Sequence, residues 1–109
     1  MLFKTKVGNT RKALKATLGP IDGFNNVKEV YFSLSDETFN NVLYREVNIW
    51  NAPDATVIFT KDEIAYPGIF KAEFHVEYED GKVEIFPDDG NYIEFVISPA
   101  TGEGTVESE

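Results

Sequence analysis

The chain has 109 residues, 42% of them hydrophobic and 14% aromatic, and no cysteine, so it is one domain's worth of protein with a modest core and without disulfides, thiolate nucleophiles or cysteine-ligated metals. Its net charge of −9 is unevenly placed: residues 1–28 hold six basic residues against Asp22, a net of +5, and residues 29–109 hold four against 18 acidic ones, a net of −14. An acidic body repels nucleic acid, no apolar run reaches the ~20 residues of a membrane span, and Met1 to Val7 is too short and too charged for a signal peptide, so cytoplasmic synthesis is the expectation.

Taken in chain order, Leu2–Val7 reads as a short edge strand, followed by strands over Arg11–Leu18 and Val27–Leu34 with Gly19, Pro20 and Gly23 punctuating the connection. Asp36 to Val47 is ambiguous, because Phe39, Val42 and Leu43 have helical spacing and a short helix there would precede a strand over Val42–Trp50. Asn51 to Asp54 marks a turn, Ala55–Thr60 a strand, and Asp62-Glu63-Ile64 a single helical turn on the way to Pro67.

The clearest element is Gly68–Tyr78. Phe70, Ala72, Phe74, Val76 and Tyr78 fall on one face, and Lys71, Glu73, His75 and Glu77 on the other, which is a half-buried strand with a wet outer face. Glu79-Asp80-Gly81 supplies residues that tolerate a left-handed turn, Lys82–Phe86 returns as the partner strand, and Pro87 to Asn91 is dense in turn formers. Tyr92–Ser98 is the last strand. Residues 1–98 thus read as one all-β domain, an immunoglobulin-like antiparallel β-sandwich of about seven to eight strands, and residues 99–109 as an acidic C-terminal extension.

Catalytic and metal chemistry find little support in the residues. His75, the one histidine, sits between Glu73 and Glu77 on the polar face, and no nucleophile or orienting group is signalled for it. The pairs Glu79-Asp80 and Asp88-Asp89 offer oxygens, but the D-x-D/N-x-D/N-G spacing of a calcium loop is absent, and turn chemistry accounts for them. No phosphate loop, nucleophile elbow or H-E-x-x-H helix occurs. The expectation is a protein that is not an enzyme and carries no cofactor or metal. Trp50 is expected to anchor the core, whereas Tyr44 and Tyr66, on an uncertain segment and in a loop, are candidates for exposure at an interface.

The segment from Ile58-Phe59-Thr60 through Pro67-Gly68-Ile69-Phe70-Lys71-Ala72-Glu73-Phe74-His75-Val76-Glu77-Tyr78, Asp80-Gly81-Lys82 and Phe86-Pro87-Asp88-Asp89-Gly90 to Ile93 resembles small immunoglobulin-like domains of tailed bacteriophages. It is similar to the N-terminal domain of baseplate upper proteins, with their P-G-x-F/Y-x-A-E-F-x-V-x-F/Y-x-D-G segment followed by F-P-x-D-G. The likeness spans residues 55–98, is loose over 11–54 and does not extend to 1–10 or 99–109. It implies a structural protein of the virion that binds other virion structural proteins, either as capsid decoration or cement or as a tail or baseplate adaptor, and it brings no catalytic residues. The basic Lys4, Lys6, Arg11 and Lys12, with Tyr44 and Tyr66, are the candidate interface, and contacts between copies as a homo-oligomer belong to the same reading. A carbohydrate-binding or host-adhesion module is the alternative, and it requires aromatic rings exposed on one flat patch.

Overall fold

The computed structural model describes residues 1–19 and 25–101. The chain is an all-β sandwich. Among the described residues its strands are β1 (Leu2–Lys6), β2 (Leu14–Thr17), β3 (Val27–Asp36), β4 (Asn41–Glu46), β5 (Ile49–Asn51), β6 (Asp54–Val57), β7 (Gly68–Tyr78), β8 (Val83–Phe86) and β9 (Ile93–Ser98), with a 3-10 turn over Asp62–Ile64. The larger sheet runs β1-β9-β7-β3-β4, with β8 also paired to β7, and the smaller runs β2-β6-β5. The β9-β7-β3-β4 order corresponds to strands G, F, C and C′ of a variable-type immunoglobulin sandwich, and β2-β6-β5 to B, E and D.

One departure concerns direction. The sandwich was expected to be antiparallel throughout, but β1 pairs with β9 in parallel, Phe3 beside Phe95 and Thr5 beside Ile97. The reason is topological. The N-terminal strand joins the large sheet at its far edge, next to the last strand, and its next strand belongs to the other sheet, so no hairpin constrains its direction.

The period-two pattern places the core where alternation predicts. Phe32, Phe74, Phe95, Leu14, Leu34, Ile64, Val30, Val57 and Val76 are fully buried. The Phe32 ring lies 5.5 Å from Phe74, edge to face, with Phe59 at 5.7 Å and Phe95 at 6.1 Å. Phe32, Phe74 and Phe95 belong to β3, β7 and β9 of the large sheet, and Phe59, just past β6, brings its ring against Phe32 and Phe95 from the side of the small sheet. Trp50 is half-buried against the core, and its Nε1–H donates to Glu29 Oε1 at 3.0 Å.

The segment left open between helix and strand near Phe39 is a hairpin. The Asp36 carboxylate accepts from the Thr38 and Asn40 N–H groups, each at 2.9 Å, and from the Thr38 hydroxyl at 2.8 Å, offering the backbone a turn in place of helical bonds. These bonds hold the Asp36 carboxyl below its ordinary value. Phe39 closes the turn at φ 66°, a left-handed conformation in which a bulky residue is strained.

The expected single strand over Val42–Trp50 is two strands in two sheets. Val47 donates to the Val30 carbonyl at 3.0 Å, still tied to β3, and Asn48 N–H then donates to Thr56 of the small sheet at 3.2 Å. The Asn48 side chain fixes the crossing by accepting the Ile58 N–H at 2.7 Å. At the β7–β8 turn, Gly81 alone takes the positive φ, 89°, while its N–H donates to Tyr78 O at 2.9 Å, a three-residue loop with a glycine bulge.

Candidate interaction surface

The inner face of the large sheet is used up by the core, so its outer face decides what the domain presents. Strand register assembles that face from distant parts of the chain. Tyr31 lies between Glu46 of β4 and His75 of β7, and His75 lies beside Ile85 of β8. One step along, Ser33 lies between Tyr44 and Glu73, and in the other direction Glu77 is beside Val83. With serine opposite it, Tyr44 has room to lean. Its ring stacks on Tyr31 with centroids 5.4 Å apart and planes 12° from parallel, and it meets His75 edge to face at 5.4 Å.

The result is an aromatic patch inside a frame of carboxylates. A shallow cavity of ≈ 270 Å³ is lined by Tyr31, Tyr44, His75, Glu77 and Val83. Burial first, and then the charges of Glu77, Glu46 and Glu29, push the Tyr31 phenol above its ordinary value. His75 Nε2 is shielded from solvent, 3.5 Å from Glu73 Oε1, without a hydrogen-bond partner among the described residues. Val83 and Ile85, both exposed, extend the apolar area along β8.

The opposite edge of the same sheet is basic. In β1 the exposed Lys4 and Lys6 alternate with the buried Phe3 and Thr5, so both lysines stand on the outer face. Arg11 and Lys12 are exposed nearby in sequence, and the Lys12 ammonium donates to the Lys4 carbonyl while lying 5.1 Å from the centre of the Phe3 ring. That bond, with the Asn9 N–H on the Lys6 carbonyl at 3.0 Å, covers main-chain acceptors that an edge strand leaves open.

Two further features stand apart. Tyr66, 79% exposed, rims a cleft of ≈ 460 Å³ at one end of the sandwich, floored by Leu34, Leu43, Phe70 and Ile97 and bordered by Asp62 and Glu63. Phe39, 58% exposed, forms a second aromatic group with Tyr92, its ring centroid 5.6 Å away, and the Lys71 ammonium lies 4.5 Å from the Phe39 ring.

The six residues singled out from the sequence are thus all exposed, but they do not form one site. Lys4, Lys6, Arg11 and Lys12 belong to the β1 side, Tyr44 to the aromatic patch and Tyr66 to the end cleft. Tyr31 belongs with Trp50, Tyr44, Tyr66, Tyr78 and Tyr92 to the aromatic residues that the sequence offers for a binding platform, whereas Ile85 and Phe39 were not anticipated. The alternation of β7 placed His75 correctly on the outer face, and the same alternation in β3 puts Tyr31 there too.

Among the described residues, no three histidine or carboxylate side chains gather closely enough to hold a metal ion, and no helix is long and apolar enough to cross a membrane. Comparison with protein-family models, with curated proteins and with solved structures finds no match.

Proposed function

We propose that this domain is a non-enzymatic structural component of a tailed-bacteriophage virion that binds neighbouring virion proteins, as capsid decoration or cement or as a tail or baseplate adaptor. The observation that carries the binding role is the outer face of the large sheet, where Tyr44, Val83 and Ile85 stay exposed around the Tyr31–His75 pair. A sheet face with stacked aromatics, flanking aliphatic side chains and a charged frame has the make-up of a protein contact surface. The placement in a virion comes from the resemblance over residues 55–98.

The carbohydrate reading is supported less well. Sugar rings stack on free aromatic faces, and Tyr31 and Tyr44 each turn one face toward the other.

The test is made on purified particles of the source phage, by mass spectrometry with copy counting and by cryo-electron microscopy. Many copies on the capsid lattice support decoration or cement, and few copies at the tail support an adaptor. Absence from the particle overturns the proposal.

A further inference from the structure

The outer face of the large sheet is charged in opposite senses at its two ends. Lys4 and Lys6 project from β1 at one edge, while Glu46, Glu73 and Glu77 frame the aromatic patch on β4, β3 and β7 near the other. Lys4 and Lys6 come from the basic segment 1–28 and the three glutamates from the acidic remainder, while Lys15 of the same basic segment lies on β2 of the small sheet and Lys28 on β3.

We propose that a second copy of this chain seats a basic side chain of its β1 edge, Lys4 or Lys6, in the pocket formed by Tyr31, Tyr44, His75 and Glu77, so that the domains associate head to tail. Aromatic faces and carboxylates together suit a cation, since ring quadrupoles and negative charges attract it in concert. The cavity of ≈ 270 Å³ opens on the face where those rings lie, so a lysine head can reach it without rearrangement of the core. The pocket wall is already formed, with Tyr44 packed against both Tyr31 and His75.

The charge pattern also selects the orientation. Two copies meeting patch to patch would bring carboxylate frames together, and two meeting β1 to β1 would oppose lysines. Unlike charges meet when the β1 edge of one copy lies on the patch of another, and a one-sided contact of this kind closes into rings or continues as chains, whereas a reciprocal one about a two-fold axis closes as a dimer. The attraction between the lysines and the carboxylates is sensitive to salt, weakening once the Debye length falls well below ~10 Å, while the same screening relieves the repulsion between two chains of charge −9. This inference rests on reading the outer face as a binding surface, and it does not depend on where in a particle the domain sits.

The experiment is sedimentation velocity on the full chain from low micromolar to about millimolar concentration, at roughly 0.05 M and 0.5 M salt, either side of effective screening. Three variants are compared: Glu77→Lys, the pair Lys4→Glu with Lys6→Glu, and Tyr44→Ala. All change outer-face side chains, and circular dichroism checks that each retains the sandwich. The wild type is expected to associate with rising concentration at low salt, and each variant to do so at least tenfold more weakly. An equimolar mixture of Glu77→Lys with the Lys4→Glu, Lys6→Glu chain is expected to recover association, because each then offers the other an unlike surface. A wild type that stays monomeric at the highest concentration and low salt overturns the inference, as does association that the charge reversals leave unchanged or a mixture that fails to recover. Those outcomes leave particle occupancy untouched, so the virion proposal stands or falls separately by its own test.

Discussion

Replacing Arg45 with methionine removes a tie between the two sheets. The Arg45 guanidinium reaches from β4 of the large sheet to the segment following β6 of the small one. Nε donates to Glu63 Oε2 at 2.6 Å, Nη2 to Glu63 Oε1 at 3.1 Å and to the Ile58 carbonyl at 2.7 Å, and Nη1 to the Glu46 carbonyl at 2.8 Å and Asn48 Oδ1 at 3.1 Å. The side chains of Arg45 and Glu63 are 24% and 14% exposed. An exposed pair contributes roughly 0–1 kcal/mol, and removing one partner of a fully buried pair costs about 3–5 kcal/mol. This pair lies between those limits, and methionine preserves most of the aliphatic stem, so the expected loss is about 2 kcal/mol. With a urea slope of roughly 1–3 kcal/mol/M, the midpoint should fall by about 1 M. Urea melts of wild type, Arg45→Met, Glu63→Gln and the double variant close a thermodynamic cycle, in which the expected coupling is about 1 kcal/mol or more. Additive single effects, or an Arg45→Met midpoint equal to wild type, would refute the assignment of this guanidinium as an inter-sheet tie.

Phe32→Ala should cost about 3–5 kcal/mol, because the lost ring leaves a cavity among Phe59, Phe74 and Phe95, and against a total of roughly 5–15 kcal/mol a melt should show a markedly destabilised protein. At Phe39, φ 66° penalises a Cβ, so Phe39→Gly should be more stable than Phe39→Ala by ~1 kcal/mol although both lose the ring; an alanine variant of equal or greater stability contradicts the strain argument. Tyr78 titrates at about 12, raised by burial first and then by the hydrogen bond from its hydroxyl to Glu84 Oε1 at 2.7 Å and the Glu84 charge. Its folded value lies above its unfolded value of 10.0, so its contribution to stability is complete below pH 10 and disappears as pH rises toward 12. Phenolate absorbance should show Glu84→Gln bringing this titration to lower pH, and an unmoved last-titrating tyrosine would exclude the Glu84 contact as a cause.

How much of this was legible in the sequence follows from what is local. The alternation of Gly68–Tyr78, the Asp80-Gly81 turn and the helical turn at Asp62–Ile64 depend on residues close in sequence, and all three are present in the structure. Alternation also placed His75 and its neighbouring glutamates on the wet face before any partner strand was known. Local cues left Phe39 undecided, where helical spacing competed with an Asp36 carboxylate able to accept two backbone N–H groups, and misled along Val42–Trp50, where one apolar stretch serves two sheets.

The sequence by itself determined an all-β chain, the inward and outward faces of its strongest strands, and the separation of a basic beginning from an acidic remainder. Tertiary structure alone decided which strands are neighbours, and with that the parallel β1–β9 pair, the Arg45 tie and the meeting of Tyr31, Tyr44 and His75. The physical reason is register. A strand's own pattern states which side chains share a face, but which distant side chains lie beside them depends on pairing between segments far apart in the chain, and that pairing is settled by how the two sheets bury one common core.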